Sequence, residues 1–180
     1  FGCEHDSLVP DIMTIGKGMG GGLPVSGLIT SAEISRSLPY AKPSGSSSSY
    51  GGNPLASAAC EATLRIIDQE GLVANSAAVG TAMLERLRAM AERLPCIGDV
   101  RGRGLMIGVE LVTDRRSKTP LPKASCERIF RAALGDGLLV MAYAPVLRIN
   151  PPLNISRGQA LEGLDRLERA LANASSGAPA

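Results

Sequence analysis

One lysine, Lys17, stands among five glycines in the run Gly16-Lys17-Gly18-Met19-Gly20-Gly21-Gly22. Glycine loses more backbone freedom on ordering than any other residue. So dense a cluster therefore marks a place where the chain turns sharply or approaches something closely. Pro10-Asp11 and the apolar run Ile12 to Ile15 precede it, and Leu23-Pro24 then restarts an extended run, Val25 to Thr30. The cluster thus reads as the join between two strands rather than between a strand and a helix.

Gly16-x-Gly18-x-x-Gly21 matches the dinucleotide fingerprint letter for letter and follows a strand. That fingerprint works by placing a pyrophosphate on the N-terminus of a helix that begins at once. Here Gly22, Pro24 and a β-branched run follow instead. The ribose-binding acid expected about 20 residues on falls at Tyr40-Ala41-Lys42-Pro43, where no acid stands. A Walker loop is excluded too, because its lysine follows the glycines and precedes Ser or Thr. A lysine flanked by residues without side chains could instead approach a planar ligand closely, with desolvation freeing its amine as a nucleophile toward an aldehyde. On spacing alone, a solvated lysine in a flexible loop is the favoured reading.

The rest of the chain alternates helical and extended patterns. Ser31 is placed to cap a short helix through Ile34, and Lys42 to Tyr50 reads as a loop rich in Pro, Gly and Ser. Asn53-Pro54 is a helix start; the helix is expected to reach Gln69 with Leu55, Ala59, Ala62, Ile66 and Ile67 toward a core. A longer one is expected over Leu72 to Arg93, where Val79, Met83, Leu87, Met90 and Leu94 form one apolar face. Gly104 to Val112 reads as a strand, Thr113 to Lys123 as a turn region and Ala124 to Gly135 as a helix. Strands are expected at Leu138 to Met141 and Leu147 to Asn150. Ser156 and Gln159 form a capping box ahead of a last helix carrying Leu161, Leu164, Leu167 and Leu171.

Composition removes several function classes. With 19 Lys and Arg against 17 Asp and Glu, nothing in the charge balance points to nucleic acid or an anionic membrane as a partner. Two Phe, three Tyr and no Trp do not build a base-stacking platform. The apolar stretch Gly137 to Leu147 is too short to span a bilayer and reads as a buried strand. Cys3, Cys60, Cys96 and Cys126 lie far apart, which suits reduced cysteines in a cytoplasmic protein better than a disulfide framework or zinc site. Cys3, Glu4, His5 and Asp6 are read as surface residues, and no metal site is expected. The start at Phe1, inside an apparent loop, reads as a fragment.

Four segments together point further. Pro10-Asp11-Ile12-Met13-Thr14-Ile15-Gly16-Lys17-Gly18, with Gly21-Gly22-Leu23-Pro24, resembles the cofactor-lysine segment of class III aminotransferases. Ser49-Tyr50-Gly51-Gly52-Asn53-Pro54-Leu55 resembles that family's Thr-Phe/Tyr-Gly-Gly-Asn-Pro motif. Ile97 to Glu110 resembles the opening of its small domain, and Val146 to Leu153 its Leu-Arg-x-x-Pro-Pro-Leu segment. The order matches the family's, and the resemblance covers residues 1 to 172.

The resemblance implies the pyridoxal-phosphate (PLP) fold type I, an α/β architecture. Residues 1–72 would be the end of the large cofactor domain, 73–172 the linking helix and α+β small domain, and 173–180 a disordered tail. It implies that Lys17 forms the internal aldimine with PLP and then serves as the proton-moving base. Ser49, or Ser48 in its place, would bind the PLP phosphate of a neighbouring subunit beside Tyr50, making the parent a homodimer with active sites at the interface. Ser49 keeps the hydroxyl of the usual Thr and loses the methyl that restricts its rotamer. Arg148 would grip a substrate carboxylate, while Arg101 and Arg103 are expected in ion pairs.

The expected reaction moves an amino group from an amino acid or ω-amine to a 2-oxo acid, close to the 4-aminobutyrate aminotransferase branch. Alternatives are decarboxylation-dependent transamination of the 2,2-dialkylglycine decarboxylase type, a nucleotide-binding glycine-loop module, and a domain that kept the fold and lost the chemistry. The phosphate-holding turn, the ring-stacking aromatic and the ring-nitrogen aspartate of the family find no counterpart in these residues. The chain alone is therefore expected to be inactive.

Overall fold

The computed structural model describes residues 1–45, 47–143 and 145–176. It forms two compact units, Phe1–Glu70 and Gly71–Ala180.

In the first unit, β1 (Ile12–Ile15) and β2 (Gly27–Thr30) pair antiparallel, with Ile12 opposite Thr30 and Ile15 opposite Gly27. The Thr30 hydroxyl donates to the Asp11 carbonyl at 2.8 Å and clasps the open end of this ribbon. Two 3-10 turns, Gly2–Asp6 and Lys17–Gly20, flank β1. Ser31 caps the short helix α1 (Ala32–Ser35), its Oγ accepting from the Ile34 amide at 3.2 Å. Asn53 starts α2 (Pro54–Gln69) as its residue type predicts: Oδ1 accepts from the Leu55 and Ala56 amides at 3.0 and 3.1 Å.

The stripe expected to carry α2 into a core does not do so within this unit. Leu55, Ala62 and Ile66 are exposed, and Ala59 and Ile67 only half-buried. A two-stranded ribbon and a single turn offer too little surface to cover such a stripe.

The second unit has its own core. Helix α3 (Leu72–Arg93) buries Val79, Met83, Leu87 and Met90, which are four of the five residues on the predicted face; Leu94 packs at its margin. The sheet runs in the order β3 (Ile97–Arg103), β4 (Met106–Asp114), β7 (Val146–Ile149) and β6 (Met141–Tyr143), all pairings antiparallel. The two-residue strand β5 (Thr119–Pro120) pairs with β4 inside the expected turn region. Alternation gives β4 one buried face, Ile107, Val109 and Leu111, which meets Leu147 and the helices α4 (Lys123–Gly135) and α5 (Arg157–Ser176). Each fully buried aliphatic side chain of this set contributes about 1.5–3 kcal/mol.

Several boundaries differ from the sequence reading. The strand expected from Gly104 is the second arm of a hairpin whose first arm is β3. The segment Gly137 to Leu147 is not one buried strand; it supplies β6 and the start of β7, with Leu139 and Met141 exposed. Helix α5, started by the Ser156–Gln159 box, reaches Ser176 and takes in the first residues of the segment read as a tail. Residues 177–180 lie outside the described ones.

Close contacts fasten the hairpin to α3. Gly104, at φ 52°, turns the chain between β3 and β4, and a Cβ on Gly80 would stand 2.1 Å from the Gly104 carbonyl oxygen. Ser76 Oγ accepts from the Leu105 amide at 3.1 Å. Asn75 Nδ2 donates to the carbonyls of Leu153 and Ile155 at 2.7 and 3.1 Å. At the other end of α3, Arg115 donates to the carbonyls of Ala91, Leu94 and Ile97, capping groups that a helix C-terminus leaves open.

Candidate active site

Gly16 ends β1 in an extended conformation, and Lys17 then enters the left-handed region at φ 57°. For a residue with a Cβ that conformation costs on the order of 1–2 kcal/mol, so the surroundings must fix it. They do so through glycine. A Cβ on Gly20 would lie 2.8 Å from Val25 Cγ2, and one on Gly21, itself at φ 58°, 2.7 Å from Thr63 Oγ1. The turn is thus pressed between the Val25 segment and α2 while its outer side stays open. A Cβ on Gly18 would meet nothing within 4 Å.

Lys17 is exposed and makes no ion pair among the described residues. This unit by itself does not supply the desolvation considered from sequence; what it supplies is a strained, freely approachable amine. No α-helix follows the turn, which leads through Leu23–Ser26 into β2. The helix N-terminus on which a pyrophosphate would sit is therefore lacking there.

Ser48, Ser49 and Tyr50 lie in the segment entering α2, and all three are exposed. Gly51 donates to the Ser48 carbonyl and Asn53 to that of Tyr50, both at 3.3 Å; Gly52, at φ 71°, supplies the turn between them. The Ser48 and Ser49 hydroxyls have no hydrogen-bond partner among the described residues. Ser48 and Tyr50 line one concavity with Pro24, Val25 and Ser26, while Lys17 and Ser49 lie outside it. An aldehyde-bearing phosphate cofactor fits this donor set: an unpaired amine on an open turn, and hydroxyls free to donate close to a helix N-terminus.

Arg148 belongs to the second unit. It stands on β7 directly opposite Gly108 of β4 and opposite Met141 of β6, on the sheet face away from the core. It has no ion pair among the described residues, and Glu110, two residues from Gly108 on β4, is engaged with Arg101 instead. Arg101 is paired, as expected: Nη1 reaches Asp99 Oδ2 at 2.7 Å and Glu110 Oε1 at 2.6 Å. Hydrogen bonds donated to Asp99, and then to Glu110, raise the pKa of this guanidinium further. The sequence reading did not identify Glu110 as part of this arrangement; its place two residues from Gly108 on an alternating strand was the available signal.

The comparisons identify the family. The model of the class-III aminotransferases matches residues 1–171. A leucine/methionine racemase from Thermococcus litoralis is 41% identical over 177 residues, covering 98% of this chain and 39% of its own. A 4-aminobutyrate aminotransferase from Mycobacterium leprae is 38% identical over 174 residues, 95% of this chain and 38% of its own. An amine transaminase from an uncultivated Pseudomonas species, solved in a PLP-bound internal aldimine form, superposes with a TM-score of 0.88 at 33% identity, covering 96% of this chain and 40% of that one. The chain thus spans about two-fifths of the length of these proteins.

Proposed function

The chain belongs to the class-III aminotransferases, and on that premise we propose that it supplies the cofactor lysine and the carboxylate-binding arginine of a PLP-dependent transaminase. The observation that carries the reading is Lys17 itself: a lysine held at φ 57° by glycines packed on Val25 and Thr63. Ser7, Ser44 and Lys118 share the positive φ; Lys17 differs in standing exposed, without an ion pair among the described residues, in a turn of glycines.

In this reading the Lys17 amine would hold the cofactor at its aldehyde carbon, with loss of water, and once the substrate amine has displaced it would hold and return the proton at the substrate carbon bearing the amino group. PLP, when bound, supplies a ring that accepts the electrons left on that carbon. Ser49 and Ser48 donate to its phosphate, and Tyr50 packs beside it. Ser49 serves a neighbouring subunit, so the protein is a homodimer; its exposed hydroxyl without an intrachain partner supports this. Arg148 offers a planar fork to a carboxylate, which suits an amino acid donor and a 2-oxo acid acceptor. Four free cysteines support a reducing, cytoplasmic setting.

The test is chemical. The longest natural chain containing this sequence is incubated with PLP, reduced with borohydride and digested, and the modified peptide is mapped by mass spectrometry. A pyridoxyl group on Lys17 is expected. Modification elsewhere, or none, refutes the assignment.

The Thermococcus litoralis relative favours racemisation as a second reading, since it needs the same lysine and the same proton. Incubating one amino acid enantiomer with and without a 2-oxo acid separates the two. Transamination needs the acceptor, whereas racemisation proceeds without it.

A further inference from the structure

Glu110 stands in equivalent register to two arginines. On one side of β4, Arg101 of β3 lies opposite Gly108; on the other, Arg148 of β7 lies opposite the same Gly108. Glu110 is two residues along β4, on the same face, so it is the diagonal neighbour of both. Because β3 and β7 flank β4 on opposite sides, the two diagonals lean in opposite directions across the sheet, but both join neighbouring strands two residues apart. The one to Arg101 is closed, at 2.6 Å. Diagonal neighbours of this type are about 7–8 Å apart at their backbones, within reach of long side chains. Arg148 could therefore make the same bond, and Gly108 places no side chain between them.

We propose that Arg101 is a positioning residue for substrate binding: by holding Glu110, it keeps Arg148 free for an external carboxylate. Asp99, directly opposite Glu110 across the β3–β4 pair, also accepts from Arg101 Nη1 at 2.7 Å, so one guanidinium serves both carboxylates. Among the described side chains, the charged groups that share this sheet face in β3, β4 and β7 near Gly108 are Asp99, Arg101, Arg103, Glu110 and Arg148, and Arg103 has a partner of its own. Removing Arg101 leaves Glu110 without its cation and Arg148 as the nearest substitute. The inference rests on Arg148 being the carboxylate-binding residue, and the test keeps the two claims apart.

The first readout is a crystal structure of the Arg101→Gln variant of the longest natural chain with PLP. The expected result is a Glu110–Arg148 ion pair within 4 Å. An Arg148 that stays unpaired while Glu110 turns to solvent overturns the proposal whatever the substrate is. The second readout is kinetic and uses L-alanine and isopropylamine, a pair differing by carboxylate against methyl, with saturating glyoxylate as the acceptor for both, so that each amine gives a product distinct from the acceptor. Arg101→Gln should raise KM for alanine about three- to five-fold, the competition a part-exposed ion pair supplies, and leave the isopropylamine KM unchanged. Adding Glu110→Gln should restore it, which a merely structural role of Arg101 would not do. Equal losses for both amines, or no rescue, overturn it. If Arg148→Gln leaves the alanine KM untouched, the carboxylate reading of Arg148 fails, and the crystal structure still judges the ion-pair exchange.

Discussion

Replacing Gly80 by alanine sets two effects of opposite sign against each other. Helix propensity favours the change: in a helix interior alanine is better than glycine by about 1 kcal/mol. Packing opposes it. The new methyl carbon would lie 2.1 Å from the Gly104 carbonyl oxygen, 2.3 Å from its carbon and 2.6 Å from its Cα. That falls about 1.3 Å short of ordinary contact at 3.4 Å. The obstacle is backbone, fixed by the Gly104 turn and the Ser76–Leu105 hydrogen bond, so no rotamer change relieves it. Over-packing of this kind costs roughly 1–3 kcal/mol and more where the backbone itself must shift. The net expectation is destabilisation of about 1–2 kcal/mol, or a Tm lowered by roughly 2–8 °C for a chain of this size. Urea unfolding followed by helical circular dichroism measures it, with Thr81→Ala on the exposed side of the same turn as the control for a helix-favouring change without backbone overlap, its lost hydroxyl bond to the Ala77 carbonyl included. A Gly80→Ala variant as stable as the control would show that the helix–hairpin contact yields easily and refute the reasoning.

Other outcomes follow from the ion pairs and thiols. Glu168 accepts from Arg93 and Arg86, both at 2.6 Å, and the Arg93 hydrogen bond leads the effects that lower its pKa. A carboxyl with a depressed folded pKa stabilises the fold above its unfolded value, near 4.5, and that contribution is lost as pH falls through the folded value. Stability measured from pH 6 to pH 3 should therefore drop below about 4.5, and Glu168→Gln should flatten this part of the profile while lowering stability at pH 7. Cys126 is buried, and desolvation raises its thiol pKa. A thiol reagent at pH 8 should modify Cys3, Cys60 and Cys96 well before Cys126; equal rates would mean that α4 opens readily.

Where residue type and period agreed, the sequence was a good guide. Asn53-Pro54 announced α2, and the face from Val79 to Met90 announced α3. The first arm of the hairpin was missed because, after Ile97, β3 alternates Asp99, Arg101 and Arg103 with Val100 and Gly102, an outward charged face around one further apolar residue. Read for hydrophobic period, such a strand is nearly silent. The α2 stripe was read correctly as apolar, but how much of it is covered depends on what packs there, and that is a tertiary fact. At the site, glycines singled out Lys17 and the motifs Arg148. The left-handed backbone of Lys17 was not legible, because the path of a glycine turn is set by packing, here of Gly20 and Gly21 close to Val25 and Thr63. The choice of Glu110 between two arginines was equally hidden, since register across three strands decides it.

Asn75, Ser76 and Gly80 give the start of α3 a role beyond spanning a distance. From little more than one helical turn, the chain locates the β3–β4 corner and the Pro151–Ile155 segment that leaves the strand of Arg148. The two prolines there have no N–H with which to join a ladder, so the Asn75 amide is what ties that exit down. Adding or deleting a single residue between positions 75 and 80 would rotate one anchor about 100° from the others, and the corner and the exit could not both be held. Substitutions on the solvent side of this helix are then unconstrained by geometry, but its length over these residues is fixed, and insertions that distinguish relatives should fall before Leu72 or beyond Arg93.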